Sequence, residues 1–400
     1  MDRRRFVRAG AGAALALAGA RVWAAPAAGS TKLLVVMLRG AYDGASLLVP
    51  YSSDFYYRAR PGIAVPRPGA GDGAAIRLDA DWALNPAVRD TLLPLYAKKQ
   101  AAFVPFSGSG DTSRSHFQAQ DLMEMGQGGA GPLDYSSGFL NRLVQALGSD
   151  PRAGGVAFTN NLTLAFKGPV PVPNVSLRGG ARAPLPQGEG ERIAAMYEGT
   201  PLASVAAAGI ETRREVSQQL MTEMAESARG AGPARAFESQ ARVVGRLMAS
   251  KSSYSIGFVD VGGWDTHVNQ GAAQGALANN LEGLAAGIAA FASEMGALWP
   301  GTAVVVLSEF GRTARENGNR GTDHGHGNTL WVLGGGVAGG RVAGEQVPVD
   351  ERHLYQDRDF PVLNDYRSVL AHLFARMYGL DGARIERVLP GAKARNYGLV

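Results

Sequence analysis

Val-Val-Val-Leu-Ser-Glu-Phe-Gly-Arg occupies residues 304–312, and Thr-Asp-His-Gly-His-Gly-Asn follows at 322–328 after a bend rich in Gly and Asn. The β-branched apolar run 304–307 suits a strand covered on both faces, hence a central strand of a parallel sheet. Open α/β sheets bind ligands beyond the carboxyl ends of their strands, and Ser308, Glu309 and Arg312 fill that position here. Asp323, His324 and His326 come next, and the small Gly325 and Gly327 let several donors turn toward one ion without crowding. The stretch therefore predicts a buried strand that delivers metal ligands. A solvated polar loop is the alternative.

Other strands deliver similar cargo. The apolar run 32–38 ends in Arg39-Gly40-Ala41-Tyr42-Asp43-Gly44, which puts Asp43 at a strand's carboxyl end or in an ordinary Asp-Gly turn. Residues 254–261 read as a strand closed by Gly262-Gly263-Trp264-Asp265-Thr266-His267. Residues two apart in an extended segment share a side, so Asp265 and His267 can hold one ion together. A strand at 101–106 opens into a hydroxyl-rich loop and a helix over 116–125. Ser115 would sit at that helix's amino terminus, where free N–H groups favour an anion. It is either a nucleophile, with Thr112 and Ser113 as substitutes, or an ordinary N-cap. His116 reads as a ligand, a phosphate contact or a buried hydrogen-bonded histidine.

The remaining chain completes the outline. Leu277, Leu281, Leu284, Ile288, Phe291, Met295 and Leu298 recur at helical spacing and predict a crossover helix into the 304 strand, a β-α-β unit. Helices are expected over 88–99, 138–147, 192–197 and from 364 onward, with His372 a packing residue, and strands over 156–166, 172–177 and 329–333. Residues 60–86 read as a surface excursion, and 181–250 as an inserted helical cap. The expected fold class is α/β, a mostly parallel central sheet flanked by helices.

The first residues bear on where the protein works. Asp2-Arg3-Arg4-Arg5-Phe6-Val7-Arg8, an apolar stretch over 9–20 and Val22-Trp23-Ala24 have the form of a twin-arginine export signal with its cleavage site. The apolar stretch is short of the roughly 20 residues that span a bilayer, so no stable membrane span is expected from it. Residues 1–24 are then the leader and 25–400 the mature domain, periplasmic or secreted, with the twin-arginine translocase its partner in export. The leader holds five of the 40 basic residues and one of the 35 acidic ones, so a net charge of +5 falls to +1. No basic stripe argues for nucleic acid. With no cysteine in the chain, thiolate metal sites are excluded.

Asp43, Asp265, His267, Glu309, Asp323, His324 and His326 thus form the expected ligand set, from at least three strand ends. Carboxylate and imidazole donors suit zinc or manganese, and so many of them suit one or two ions. Arg312 or Arg39 would clamp a substrate oxygen. The leader, the segment 39–44, Ser115-His116-Phe117, Asp265-Thr266-His267, Ser308-Glu309-Phe310-Gly311-Arg312 and Gly321-Thr322-Asp323-His324-Gly325-His326-Gly327 together resemble the bacterial domain-of-unknown-function family 1501. That family is similar in fold to the alkaline phosphatase and sulfatase superfamily, whose members hold one or two metals beside a Ser, Thr or modified Cys nucleophile. The resemblance implies Asp43, the Asp265 and His267 pair, and members of Asp323, His324 and His326 as ligands. It also implies an exported hydrolase of small anionic phosphate or sulfate esters. The rival expectation is a non-catalytic periplasmic binding or assembly protein that keeps the fold, with or without a structural metal.

Overall fold

Strand β1, Lys32–Leu38, is buried along its whole length, and alternate side chains feed two separate cores. Leu33, Val35 and Met37 enter one, and Leu34, Val36 and Leu38 the other, as the two-residue repeat of a strand requires. The structure is a computed structural model that describes residues 31–128, 132–177, 199–200 and 230–400.

The sheet strands that position the site are β1, β2 (Ala101–Gly108), β3 (Gly155–Phe158), β4 (Ile256–Gly262), β5 (Thr302–Ser308), β6 (Asn328–Leu333) and β7 (Arg341–Val342). They lie in the order β7-β2-β6-β5-β1-β4-β3. On one face pack α2 (Phe139–Leu147) and α5 (Tyr366–Tyr378), and on the other α3 (Phe237–Ser250) and α4 (Ala276–Met295). The architecture is therefore α/β, with a mixed, mostly parallel central sheet flanked by helices.

β1 pairs in parallel with both β4 and β5. β5, however, has an antiparallel neighbour on its other side, β6, so it is not the all-parallel central strand expected. An apolar run reports burial on two faces but not direction. The loop from 309 to 327 does not cross the sheet; it returns from the end of β5 into β6 at the same edge. Because β6 is also antiparallel to β2, the strands β1, β2, β4 and β5 all send their carboxyl ends to one side. His116 opens α1, His116–Met125, just after β2.

Several expectations need correction. Residues 172–177 form no strand, only a bridge from Asn174 to Ala157, and the strand expected over 156–166 ends at Phe158, with a 3-10 turn at Leu164–Phe166. Only Leu92–Ala97 is α-helical within 88–99. Part of the supposed excursion at 60–86 is pinned in a small sheet, Ile76–Arg77 on Ala83–Leu84 and that on Leu48–Val49. The leader at 1–24, the helix expected at 192–197 and much of the proposed cap lie outside the described residues. The described end of that cap, α3, is a layer helix whose Phe237, Ala241, Val244 and Met248 share a core with α4. The helix Ala276–Gly301 is long and apolar enough to cross a membrane, yet Leu277, Leu281, Leu284 and Ile288 are buried against the sheet.

Leu281 is fully buried, and Val243 is 41% exposed on the neighbouring helix. Leu281→Ala is expected to cost about 2–5 kcal/mol in denaturant unfolding, and Val243→Ala less than about 0.5 kcal/mol. Equal costs would contradict the layering.

Candidate metal centre

Asp265 leaves the end of β4 and lies buried among three imidazoles. His267 Nε2 is 2.9 Å and His324 Nε2 3.4 Å from its Oδ1, and His116 Nε2 is 3.5 Å from its Oδ2. The rings also face one another: His324 Nε2 is 2.9 Å from His116 Nε2 and 3.0 Å from His267 Nε2. His116, Asp265 and His324 each offer a donor atom, all within 4.8 Å of one another.

The outer nitrogens set the tautomers. His116 Nδ1 is 2.8 Å from Glu309 Oε1, His267 Nδ1 is 3.1 Å from Asp323 Oδ1, and His324 Nδ1 is 3.0 Å from the carbonyl of Arg114. All three partners are acceptors, so each Nδ1 donates and each neutral ring keeps a lone pair on Nε2. Lone pairs on nitrogens 2.9–3.0 Å apart repel unless a proton or a cation lies between them. Asp265 Oδ2 is buried with no hydrogen-bond partner. The donor set and the orphaned oxygen both fit a cation, and the outer contacts have the pattern that orients metal-bound histidines.

The electrostatics agree. Burial disfavours charge on His116, but Asp265 and Glu309 outweigh it and push its pKa up to about 9. His267 is also raised, burial being overcome by Asp265 and Asp323. His324 is lowered by burial, which the Asp265 hydrogen bond only partly offsets against the nearby Arg312 and His116. Burial would raise Asp265, yet the three histidines and Arg312 hold it well below the carboxylate range. Without a metal, a proton on His116 takes the cation's place.

The other sequence-predicted residues surround this group or lie apart from it. Fully buried Glu309 accepts from Gly40 N at 2.8 Å, Gln120 Nε2 at 3.0 Å and Ser308 Oγ at 2.9 Å, as well as orienting His116. Burial opposes its charge, but His116 and Gln120 hold its pKa down to about 2. Asp323 is half-exposed and turns to His267 and Asn317, and its pKa is lowered to about 2 chiefly by the His267 hydrogen bond. Both support histidines from outside. His326 packs on Tyr355, ring centroids 5.0 Å apart.

Asp43 is engaged elsewhere. Its carboxylate takes Arg60 Nη1 at 2.5 Å and Nη2 at 3.1 Å, Ser46 Oγ at 2.6 Å and Gln270 Nε2 at 2.7 Å. Burial favours its neutral acid, but Arg60 keeps it ionised. Arg312 is buried too, donating to the carbonyls of Ala41, Gly40, Trp264 and Thr322 and to Asp265. Its Nη1 also lies 3.4 Å from His267 Nε2, so it fixes Asp265 and has no donor left for a substrate. Arg39 is likewise taken by Glu124 and Asp260.

Ser115 is the N-cap residue of α1, but its side chain makes no capping bond. Thr112 is exposed, and the Ser113 hydroxyl is spent on Asp111 at 2.7 Å. Two parts escape sequence reasoning: the Arg114 carbonyl, which carries no residue-type signal, and the decision for His116 as a member. Its place at a helix start just past a strand was the available sign. Gly40, at φ +113°, makes the tight turn after β1, and a Cβ there would meet Asp265 N at 2.8 Å.

A sequence profile described as "Protein of unknown function (DUF1501)" matches residues 30–389. The chain belongs to that family. No curated protein matches this family member. One similar solved structure is titled "Crystal structure of Ps i-CgsB in complex with k-i-k-neocarrahexaose", with a TM-score of 0.41 and 8% identity over 90% of this chain and 74% of that one. A likeness at that level carries no argument.

Asp43→Asn strands the buried Arg60 charge and is expected to cost about 3–5 kcal/mol of stability while leaving zinc affinity unchanged. Asp265→Asn is expected to lose zinc binding. Chelator competition and denaturant unfolding on both variants check this, and reversed effects would restore Asp43 as the ligand.

Proposed function

We propose that this family member is an exported metal-dependent hydrolase of phosphate or sulfate esters. One divalent ion, zinc or manganese, would be held by His116, Asp265 and His324 with His267 beside them. One observation carries the reading: inner imidazole nitrogens face one another beside buried Asp265, those of His267 and His324 near its Oδ1 and that of His116 3.5 Å from its Oδ2, which has no hydrogen-bond partner. Nitrogen donors with a single carboxylate suit zinc first and manganese next. Such an ion, when bound, supplies Lewis acidity that polarises an ester oxygen and lowers the pKa of a neighbouring hydroxyl.

Ser115 is the proposed nucleophile. It directly precedes His116, and a hydroxyl without a capping bond favours that role over the helix cap. The first-turn N–H groups and the dipole of α1 suit the anionic part of an ester. His116, oriented by Glu309, and His267, oriented by Asp323, hold their inner nitrogens toward the same point. Export rests on Arg3, Arg4, Arg5 and Phe6 of the leader. Ligand-bearing loops at the carboxyl ends of parallel strands support placing the fold with the alkaline phosphatase and sulfatase superfamily.

The second reading, a non-catalytic periplasmic binding or assembly protein, is favoured by one fact: Arg39, Arg60 and Arg312 are all spent in buried ion pairs. None of these remains to clamp an anionic oxygen.

Purified protein loaded with zinc or manganese and offered aryl phosphate, phosphodiester and aryl sulfate separates the two. Metal-dependent turnover is expected, with Ser115→Ala lowering kcat at least about 100-fold and leaving metal affinity intact. Turnover indifferent to that substitution would remove the nucleophile, and none on any substrate would favour the binding protein.

Ligation needs His116 neutral, and its pKa of about 9 means that binding below that pH expels a proton. Zinc affinity is therefore expected to rise about tenfold per pH unit from neutrality and to level off near 9, as chelator competition at stepped pH reads out. A flat profile would contradict protonated His116.

A further inference from the structure

We infer that Asp359, which binds no ligand itself, is a positioning residue of the metal centre and acts through the backbone of Arg114. The inference rests on the reading above that His324 is a ligand. His324 is aimed by its Nδ1 contact to the Arg114 carbonyl, 3.0 Å away. Arg114 holds that carbonyl in place from the left-handed region, φ 56°, where a non-glycine residue is strained and persists only if its surroundings enforce it.

Asp359 is what enforces it. Its Oδ2 accepts from Arg114 Nε at 2.9 Å and Nη2 at 2.6 Å, and the carboxylate is fully buried. The other partner of Arg114, Gln356 at 2.8 Å, is exposed. Asp359 is itself anchored at the site. Its backbone bridges Thr313, the residue after Arg312, and exchanges bonds with Tyr355 at 2.8 and 3.0 Å. Neighbouring Phe360 accepts from Gly327 N, and Arg358 from Ala314 N. One loop thus ties the Arg312 segment to the Arg114 turn and sets His324 relative to Asp265. Asp359 stands 35 residues from His324 with no ligand motif of its own, so no spacing rule points to it.

Full-length Asp359→Asn, nearly equal in volume, is the test, with Arg114→Met removing the same pair from the other side. Two readouts apply: zinc affinity by chelator competition, and the His324 tautomer from imidazole ¹⁵N shifts in metal-free protein. In the wild type, at about pH 8 where His324 is neutral, the proton is expected on Nδ1. In both variants zinc affinity should fall about 10- to 100-fold and the tautomers should mix. A purely structural Asp359 would lower the thermal midpoint and move neither readout. Wild-type affinity with an unchanged tautomer in both variants would overturn the inference. A wild-type protein that binds no zinc would overturn the metal reading, while the metal-free tautomer still decides the part Asp359 plays.

Discussion

Electron pairs on neighbouring imidazoles repel, and everything about this centre follows from the way that repulsion is resolved. Three rings, tied from behind by Glu309, Asp323 and the Arg114 carbonyl, present their inner nitrogens to one another around Asp265, with Arg312 reaching only that of His267. Arg312 neutralises part of the Asp265 charge from beneath, and the rest is left for a proton on His116 or for a metal. A buried carboxylate oxygen without a partner is expensive to maintain. A cation beside it would remove that cost.

The sheet makes the convergence possible. β1, β2, β4 and β5 end on one side, so residues as distant as His116 and His324 meet without long connections across the core. The apolar faces of β1 are consumed by helices on both sides, which leaves the strand ends as the place where polar groups gather. The loop between β5 and β6 stays at that edge because β6 turns back antiparallel. It contributes Arg312 to the floor of the site and His324 to its wall.

Much of this was legible in the residues. Asp265 and His267, two apart at a strand end, do share one face, and His324 does join them. Residue type and strand-end position tell which groups are near, but not which atom faces inward. Glu309 and Asp323 accordingly read as ligands, yet they stand behind His116 and His267. Asp43 has the right position but the wrong partner: Arg60, 17 residues on, is an ion-pair mate that no motif announces. Arg312 reads as an anion clamp because sequence does not reveal that the carbonyls of Gly40 and Ala41 absorb its donors. The direction of β6 is hidden for a related reason, since an apolar strand looks the same from either end.

X-ray absorption at the zinc edge of loaded, desalted protein tests the central claim most directly. The account predicts one ion per chain, with at least two imidazole nitrogens at about 2.0–2.1 Å and one carboxylate oxygen at about 2.0–2.2 Å. An all-oxygen shell without imidazole scattering, or an ion lost on desalting, would contradict it.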